Sequence, residues 1–235
     1  MLVKEIFLPT RDIECDYFNS GEHTTDMPLG NGSMCPFGVF SRIGIERLSF
    51  GKITLFCGGT NQPINYLMRI VASVLGAESL TAEDNKLRVS AYAKCCIVKK
   101  NPKEEVNCVY ISKRQIYEEI EAMRRKSEYY TSKSMSELYN AKINSKSVYV
   151  LEMPESGMSA QETAEVASLI YDTATQTGAQ FIISTNSPIF MGIDRAVIYD
   201  LDRRPIVPQA YHRSSARKKF ADIYDEICAS HSKKY

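Results

Sequence analysis

The sequence is poor in the features that mark membrane-spanning, secreted and zinc-binding proteins. Its 235 residues contain no apolar run close to the roughly 18 residues that a membrane-spanning helix needs. The seven cysteines form no Cys-x-x-Cys pair, and the three histidines lie far apart, so a zinc framework is unsupported. Because the cysteine count is odd and no secretory leader precedes them, we expect reduced thiols in a cytoplasmic protein.

The chain also lacks an excess of charge of one sign. It has 29 basic and 28 acidic residues, so a strong field for non-specific binding of nucleic acid or membrane is absent. Basic residues do recur from Arg203 to Lys234, but Asp222, Asp225 and Glu226 are interspersed among them. This stretch is interpreted either as a solvated helix face or as a surface that contacts the phosphates of nucleic acid.

What is present is an alternation of apolar strands and amphipathic helices. Strands are predicted at 2–8, 36–48, 53–57, 87–98, 106–111, 148–151, 181–185 and 196–201. Helices are predicted after the loop 58–63, after a capping box at 112–115, at about 134–142, after a second capping box at 159–162 and at about 215–229. The alternation predicts an α/β fold with a largely parallel sheet and helices on both faces.

The pattern changes between residues 79 and 144, where short strands and charged helices replace the compact apolar runs. We therefore predict a single domain with a core of 1–78 and 145–235 and a smaller inserted lobe of strands and helices at about 79–144.

Two local patterns receive ordinary structural interpretations. Gly30-Asn31-Gly32 follows no apolar strand and opens no helix, so it is interpreted as a turn. Cys95 and Cys96 lie within the predicted strand 87–98, where neighbouring side chains point to opposite faces. One of the two thiols is therefore expected to be buried and inert.

Several segments carry motif-like sequences in a fixed order. They are Pro36-Phe37, Ile53–Asn65 (ITLFCGGTNQPIN), Val148–Glu155 (VYVLEMPE), Gly178–Ile189 (GAQFIISTNSPI) and Ile198–Asp202 (IYDLD). In order and spacing they resemble the P-loop ATPases of the ABC class, in the small stand-alone bacterial branch described as AAA family ATPases. The resemblance extends nearly end to end, and it implies a P-loop NTPase fold with an ABC ATPase-like sheet.

The resemblance implies a nucleotide-binding loop equivalent to the Walker A motif. This loop comprises Gly58, Gly59, Thr60, Asn61, Gln62, Pro63, Ile64 and Asn65. The motif G-x-x-x-x-G-K-[ST] needs glycines to wrap the backbone around phosphates, a lysine for their charge and a hydroxyl for Mg²⁺. Here Pro63 replaces the second glycine, Ile64 replaces the lysine and Asn65 replaces the hydroxyl residue.

The remaining positions implied by the resemblance are also altered. Glu152 stands for the aspartate that supports Mg²⁺ and is the one metal candidate, whereas Met153 stands for the catalytic carboxylate. Asn186 stands for the switch histidine, and the best match to the signature loop, residues 132–137, has no glycine. Glu152 and Glu155 are interpreted either as an acid–base pair or as a strand end and a helix flank.

These replacements predict a pseudo-ATPase with little or no ATP hydrolysis that acts as a regulatory or interaction module. No ATP or Mg²⁺ is expected as a resident cofactor. The resemblance implies a homodimer or heterodimer formed through the face that sandwiches nucleotide in the family. Two alternatives are a divergent ATPase subunit that binds ATP–Mg²⁺ with the help of a partner chain, and a nucleic-acid-associated accessory subunit of a DNA repair or defence system.

Overall fold

The computed structural model describes residues 1–20, 35–78, 80, 87–126, 134–210 and 220–226. The strands are β1 (Val3–Phe7), β2 (Arg47–Ser49), β3 (Ile53–Cys57), β4 (Ile97–Lys100), β5 (Cys108–Ile111), β6 (Val148–Glu152), β7 (Gln180–Ser184), β8 (Val197–Asp200) and β9 (Gln209–Ala210). The helices are α1 (Arg11–Asn19), α2 (Phe40–Ile43), α3 (Ile64–Val74), α4 (Leu87–Lys94), α5 (Lys113–Lys126), α6 (Met135–Lys142), α7 (Ala160–Gln176) and α8 (Pro188–Met191). Across these ranges no helix combines the length and the apolar character needed to span a bilayer.

The large sheet has six strands in the order β5-β6-β7-β3-β8-β9. The first five run parallel, and β9 is antiparallel to β8. Every residue of β3, β6 and β7 is buried, as is typical of central strands that are covered on both faces. The predicted α/β class with a mostly parallel sheet is therefore confirmed.

Helices cover both faces of this sheet and form two apolar cores. Alternate residues of β3 point to opposite faces, so Phe56 joins one core and Leu55 joins the other. Helix α3 packs into the first core through Leu67, and α7 packs into the second through Val166. Each central strand thus contributes apolar area to both cores, which is the main stabilising contribution to this fold.

A small antiparallel sheet, in the order β2-β1-β4, is joined to the large one through Gln180. The Gln180 Oε1 atom accepts hydrogen bonds from the backbone N–H groups of Leu2 and Val3 (3.1 and 2.8 Å). Its Nε2 group donates to the carbonyl oxygens of Val3 and Gly51 (2.8 and 2.9 Å). Because Gln180 is 1% exposed, these four bonds satisfy its amide away from water.

The segment of the predicted lobe contributes a strand to each sheet. It provides β5 at one edge of the large sheet and β4 at one edge of the small sheet. The division into a core and an inserted lobe stays a prediction.

Two predicted strands are largely wrong. Within 36–48 the chain forms α2, which ends at Gly44 in the left-handed region (φ 76°), and only its last residues join β2. Within 87–98 it forms α4, and Val89 and Tyr92 are both buried on the side of that helix that faces the core. The strand predictions are wrong because the apolar residues in both segments have helical spacing.

The correction to α4 also moves the paired cysteines. Cys95 and Cys96 follow the helix, and their thiols donate to the carbonyl oxygens of Ala91 and Tyr92 (3.6 and 3.4 Å). Burial raises the pKa of Cys96 to about 12, so its reactive thiolate form is scarce at neutral pH.

Several other predicted elements are confirmed, whereas one helix is not predicted. The capping boxes at Ser112 and Ser159 are confirmed, as are helix 134–142 and strand 2–8. Helix α1 was not predicted because it buries only one side chain and so shows no apolar stripe. The final helix is described only at 220–226, where its apolar residues are exposed, and the turn at 30–32 lies outside the described residues.

We predict that Gln180→Leu destabilises the protein by roughly 3 kcal/mol or more, because each buried polar group left without a partner costs about 1–3 kcal/mol. The substitution keeps the side-chain size but removes all four hydrogen bonds of the Gln180 amide, while the two bonds between the Tyr199 hydroxyl and the backbone of Ser49 still join the sheets. Denaturant unfolding of the purified variant measures the change.

Gln176→Leu is the matched control, because Gln176 is exposed at the end of α7. Its unfolding midpoint should stay close to that of the wild type. Equal midpoints for the two variants would show that Gln180 does not hold the sheets together.

Candidate functional site

The candidate site lies at the carboxyl edge of the large sheet, where four parallel strands end side by side. Glu152 of β6 pairs with Ser184 of β7, which pairs with Phe56 of β3, which pairs with Tyr199 of β8. Neighbouring strands are about 4.8 Å apart, so Glu152 and Phe56 are roughly 10 Å apart. The loops after these strands therefore meet at one edge, the usual place for ligand sites in open α/β sheets.

The loop after β3 is tied to the loop after β7 by one side-chain amide. The backbone N–H of Gly58 donates to Oδ1 of Asn186 (3.2 Å), and the Asn186 Nδ2 donates to the Gly58 carbonyl oxygen (3.1 Å). A Cβ atom on Gly58 would lie 3.0 Å from Cγ of Gln62 and 3.2 Å from Cβ of Leu201. The loop therefore packs so closely at this point that a side chain does not fit without a shift.

The next residue of the loop is bound to the segment after β8. The N–H of Gly59 donates to both carboxylate oxygens of Asp202 (3.1 and 2.9 Å). The Gln62 side chain donates to Oδ1 of the same carboxylate (3.0 Å), and the Gln62 backbone N–H donates to the Gly59 carbonyl oxygen (3.0 Å). Gly59 and Gln62 thus form a turn around a carboxylate of the chain itself.

The remaining loop positions carry no positive charge. Thr60 and Asn61 are exposed, and Pro63 precedes helix α3 without a backbone N–H. Ile64, at the lysine position of the resembled motif, is 8% exposed and belongs to the core that contains α3. Asn65 is exposed in the first turn of the helix.

Glu152, the metal candidate, is held inside the fold. It is 2% exposed, and the Tyr110 hydroxyl donates to its Oε2 atom over 2.6 Å. Tyr110 belongs to β5, the neighbouring strand. A short hydrogen bond from a phenol stabilises a buried carboxylate and fixes its orientation.

Met153, at the position of the catalytic carboxylate, has an unusual backbone. Its φ is 47°, in the left-handed region that residues other than glycine rarely adopt. Its N–H donates to the carbonyl oxygen and the hydroxyl of Ser184 (3.0 and 3.1 Å), and its carbonyl accepts from the N–H of Ser156. The turn is therefore held by backbone contacts, while the thioether has no capacity as a base.

Glu155 connects the loops after β6 and β7. Its Oε1 atom accepts from the Thr185 hydroxyl (2.8 Å) and from the Asn186 N–H (2.9 Å). Its Oε2 atom is buried, and no described residue donates to it. Burial raises the pKa of the Tyr139 phenol, and the charge of Glu155 raises it further, so Tyr139 stays neutral beside the carboxylate.

Four carboxylates and two arginines lie at this edge of the sheet. The carboxylates of Glu152, Glu155, Asp200 and Asp202 lie on or next to the four strand ends, whereas residues 58–65 contain no lysine or arginine. Arg203 pairs with Asp200 over 3.8 Å. The guanidinium of Arg204 donates to backbone carbonyl oxygens of its own turn. A polyphosphate at this edge would meet like charges without a compensating cation in the loop.

The structure brings together most of the residues that the sequence singled out. Asn186 forms hydrogen bonds with Gly58. Glu152 ends β6, which is separated from β3 by β7, and Met153 follows it. In the weak signature match, the described part (134–137) is the capping box of α6. The basic residues at 213 and 217–219 and those after 226 lie outside the described residues.

Sequence reasoning missed the role of Asp202. This residue ends the Ile198–Asp202 segment that carries part of the resemblance, and it follows a parallel strand next to β3. That position was the available signal, because residues after the carboxyl ends of adjacent parallel strands lie close together.

Two surface cavities of the described chain lie elsewhere. One of about 540 Å³ runs along α5 and reaches Ser156, and the other of about 440 Å³ lies between α7 and α8. No residue of the loop 58–65 lines either of them, so these cavities do not bear on the chemistry of the strand ends.

Comparison with known proteins adds no relative: no family model matches the chain, and no curated protein matches its sequence. The resemblance stated above therefore rests on the motif residues and on their arrangement in space.

We predict that Met153→Gly is more stable than Met153→Ala by about 1 kcal/mol, because a left-handed residue with a Cβ atom carries a penalty of about 1–2 kcal/mol. Both variants lose the same side chain beyond Cβ, so the difference isolates the backbone. Denaturant unfolding of the two proteins gives the comparison.

Met158 provides the control, because it is also half-buried and lies in the same loop but has no positive φ. At that position the order should reverse, with Ala more stable than Gly by about 0.5–1 kcal/mol. If the Ala variant is more stable than the Gly variant at position 153 as well, the backbone of Met153 is not strained.

Proposed function

We propose that this protein is a degenerate P-loop ATPase homologue of the ABC type that hydrolyses little or no ATP and acts as a regulatory or interaction module. The observation that carries the proposal is the closed loop after β3. Its Gly58 and Gly59 N–H groups are already bound to side chains of the chain, and it contains no cation.

The arrangement of the strands supports the P-loop part of the proposal. A P-loop is a strand, a glycine-containing loop and a helix, as in β3, the loop 58–63 and α3. The two later strands that carry the resemblance, β7 and β8, pair with β3 on either side. A shared carboxyl edge is general to parallel sheets, so the support for the proposal lies in the place of β7 and β8 on either side of β3.

The contacts of the loop argue against phosphate binding. A P-loop holds phosphates through free backbone N–H groups and a lysine. Here Gly58 and Gly59 donate to Asn186 and Asp202, Pro63 has no N–H to donate, and Ile64 is buried in a core. A phosphate would have to displace a carboxylate that its own fold keeps in place.

The altered positions also argue against turnover. A general base contributes roughly 10²- to 10⁴-fold to a rate, and Met153 cannot act as one. A preorganised contact to developing charge is worth roughly 3–4 kcal/mol, and Ile64 supplies none. These losses affect different steps, so their effects combine.

A sheet with a P-loop-like strand arrangement but without the catalytic residues is consistent with a role in binding another protein. We propose that the carboxyl edge of the sheet faces a second chain, either another copy or an active relative, as the resemblance implies for the face that sandwiches nucleotide. The protein would then modulate its partner through contact and not through turnover.

Two carboxylates at this edge favour an alternative in which the chain is a divergent ATP-binding subunit. Glu152 keeps a carboxylate at the metal position, and Oε2 of Glu155 is buried without a donor among the described residues. A partner chain that supplied a cation to this edge would offset both carboxylates and allow ATP–Mg²⁺ to bind.

We predict that the purified protein releases phosphate from ATP no faster than its Glu152→Ala variant. Calorimetry with millimolar ATP and Mg²⁺ should give no binding heat, because the loop has neither a free pair of N–H groups nor a cation.

The alternative predicts a different result. It requires low-micromolar binding of ATP–Mg²⁺, about −8 kcal/mol, and loss of that binding in Glu152→Ala. Turnover above the variant would refute the proposed pseudo-ATPase, and binding without turnover would support the alternative.

A further inference from the structure

The turn after β3 already holds an anion that belongs to the chain. Both oxygens of Asp202 accept from the Gly59 N–H, and the Gln62 amide donates to one of them. A carboxylate that accepts several N–H bonds engages the same donors that a phosphate oxygen would use. The turn is therefore a working anion-binding element whose occupant is covalently attached.

The strand pairing fixes this occupant in place. Leu201 donates its N–H to the Cys57 carbonyl oxygen (2.8 Å), which extends the pairing of β8 with β3 by one residue. The N–H of Asp202 donates to Oδ1 of Asp200 (3.0 Å), which sets the direction in which the chain leaves the strand. The carboxylate thus reaches Gly59 as a consequence of sheet formation and needs no ligand to bring it there.

The carboxylate lies directly over the Gly59 backbone. A Cβ atom on Gly59 would lie 3.6 and 3.8 Å from the two Asp202 oxygens. The neighbouring Gly58 is packed against Gln62 and Leu201. The carboxylate and the turn are in direct contact, so an external anion has access to the Gly59 N–H only when Asp202 is displaced.

We propose that Asp202 is an intramolecular substitute for a phosphate, which keeps the loop 58–62 folded without nucleotide and excludes external anions from it. This inference rests on the proposed function, in which the loop descends from a phosphate-binding one. It makes Asp202 an autoinhibitory contact: the Gly59 N–H and the Gln62 amide are released only when this carboxylate leaves.

The test is chemical rescue of the full chain with inorganic pyrophosphate. We expect Asp202→Ala to unfold several degrees below the wild type, because the Gly59 N–H and the Gln62 amide lose their acceptor. Pyrophosphate in the millimolar range should recover part of this loss, compared with sodium chloride at equal ionic strength. The wild type should show no such shift, since its own carboxylate occupies the turn.

A local readout makes the test specific. In ¹⁵N-labelled protein, the Gly59 amide resonance should move on addition of pyrophosphate to Asp202→Ala and stay unchanged in the wild type. Asp202→Asn keeps the size of the side chain and one acceptor oxygen, so it should retain more stability than Asp202→Ala and respond less to pyrophosphate.

Asp194→Ala is the matched control, because Asp194 is exposed and pairs only with the neighbouring Arg195 among the described ion pairs. It should lose little stability and show no response to pyrophosphate. The inference is overturned if Asp202→Ala is as stable as this control, if pyrophosphate does not restore it, or if pyrophosphate stabilises the wild type equally.

These outcomes are separable from the proposed function. ATP hydrolysis by the wild type would refute the pseudo-ATPase but leave the rescue of Asp202→Ala intact as evidence for the internal contact. Failure of the rescue would overturn the inference that Asp202 substitutes for a phosphate, and the absence of ATP hydrolysis would still be judged by its own assay.

Discussion

The parallel pairing of β3 with β7 on one side and β8 on the other is the constraint on which the candidate site depends. Residues 58, 186 and 202 are far apart in sequence, and no local preference brings them together. Once three parallel strands are in register, their carboxyl ends share an edge, and the first residues of each loop are in contact distance. The bonds from Gly58 to Asn186 and from Gly59 to Asp202 are consequences of that register.

The same constraint explains how contacts within the chain hold the loop 58–62 in its conformation. The backbone N–H groups of Gly58 and Gly59 lie beyond the end of β3, and their hydrogen bonds are in exposed positions. In a nucleotide-binding protein the ligand satisfies them, whereas here an amide and a carboxylate from the two neighbouring strand ends do so. Ile64 adds to stability, because its side chain is buried and joins a core.

Sequence reasoning succeeded where the physical signal was local. The runs 53–57, 148–151 and 181–185 are continuous and apolar, so they could only be central strands or buried helices, and their short length decided between the two. Capping boxes located the starts of α5 and α7 because they are reciprocal contacts over three residues. The strand predictions for 36–48 and 87–98 are wrong because the apolar residues there fit both the helical and the strand period. In the site, the resemblance located the loop and Asn186. The roles of Gln180 between the sheets and of Asp202 in the site could not be predicted, because most of their hydrogen bonds are with residues more than 140 positions away.

The conformation of this edge depends on backbone contacts at some positions and on side-chain contacts at others. The turn at Met153 is held through its backbone by Ser184 and Ser156, so the identity of its side chain can change without loss of the turn. Among the described residues Oε2 of Glu155 has no donor, whereas the other carboxylates of this edge accept hydrogen bonds within the chain. Tyr110 donates to Glu152, and Gly59 and Gln62 donate to Asp202. An edge with these internal hydrogen bonds needs no ligand to keep its conformation.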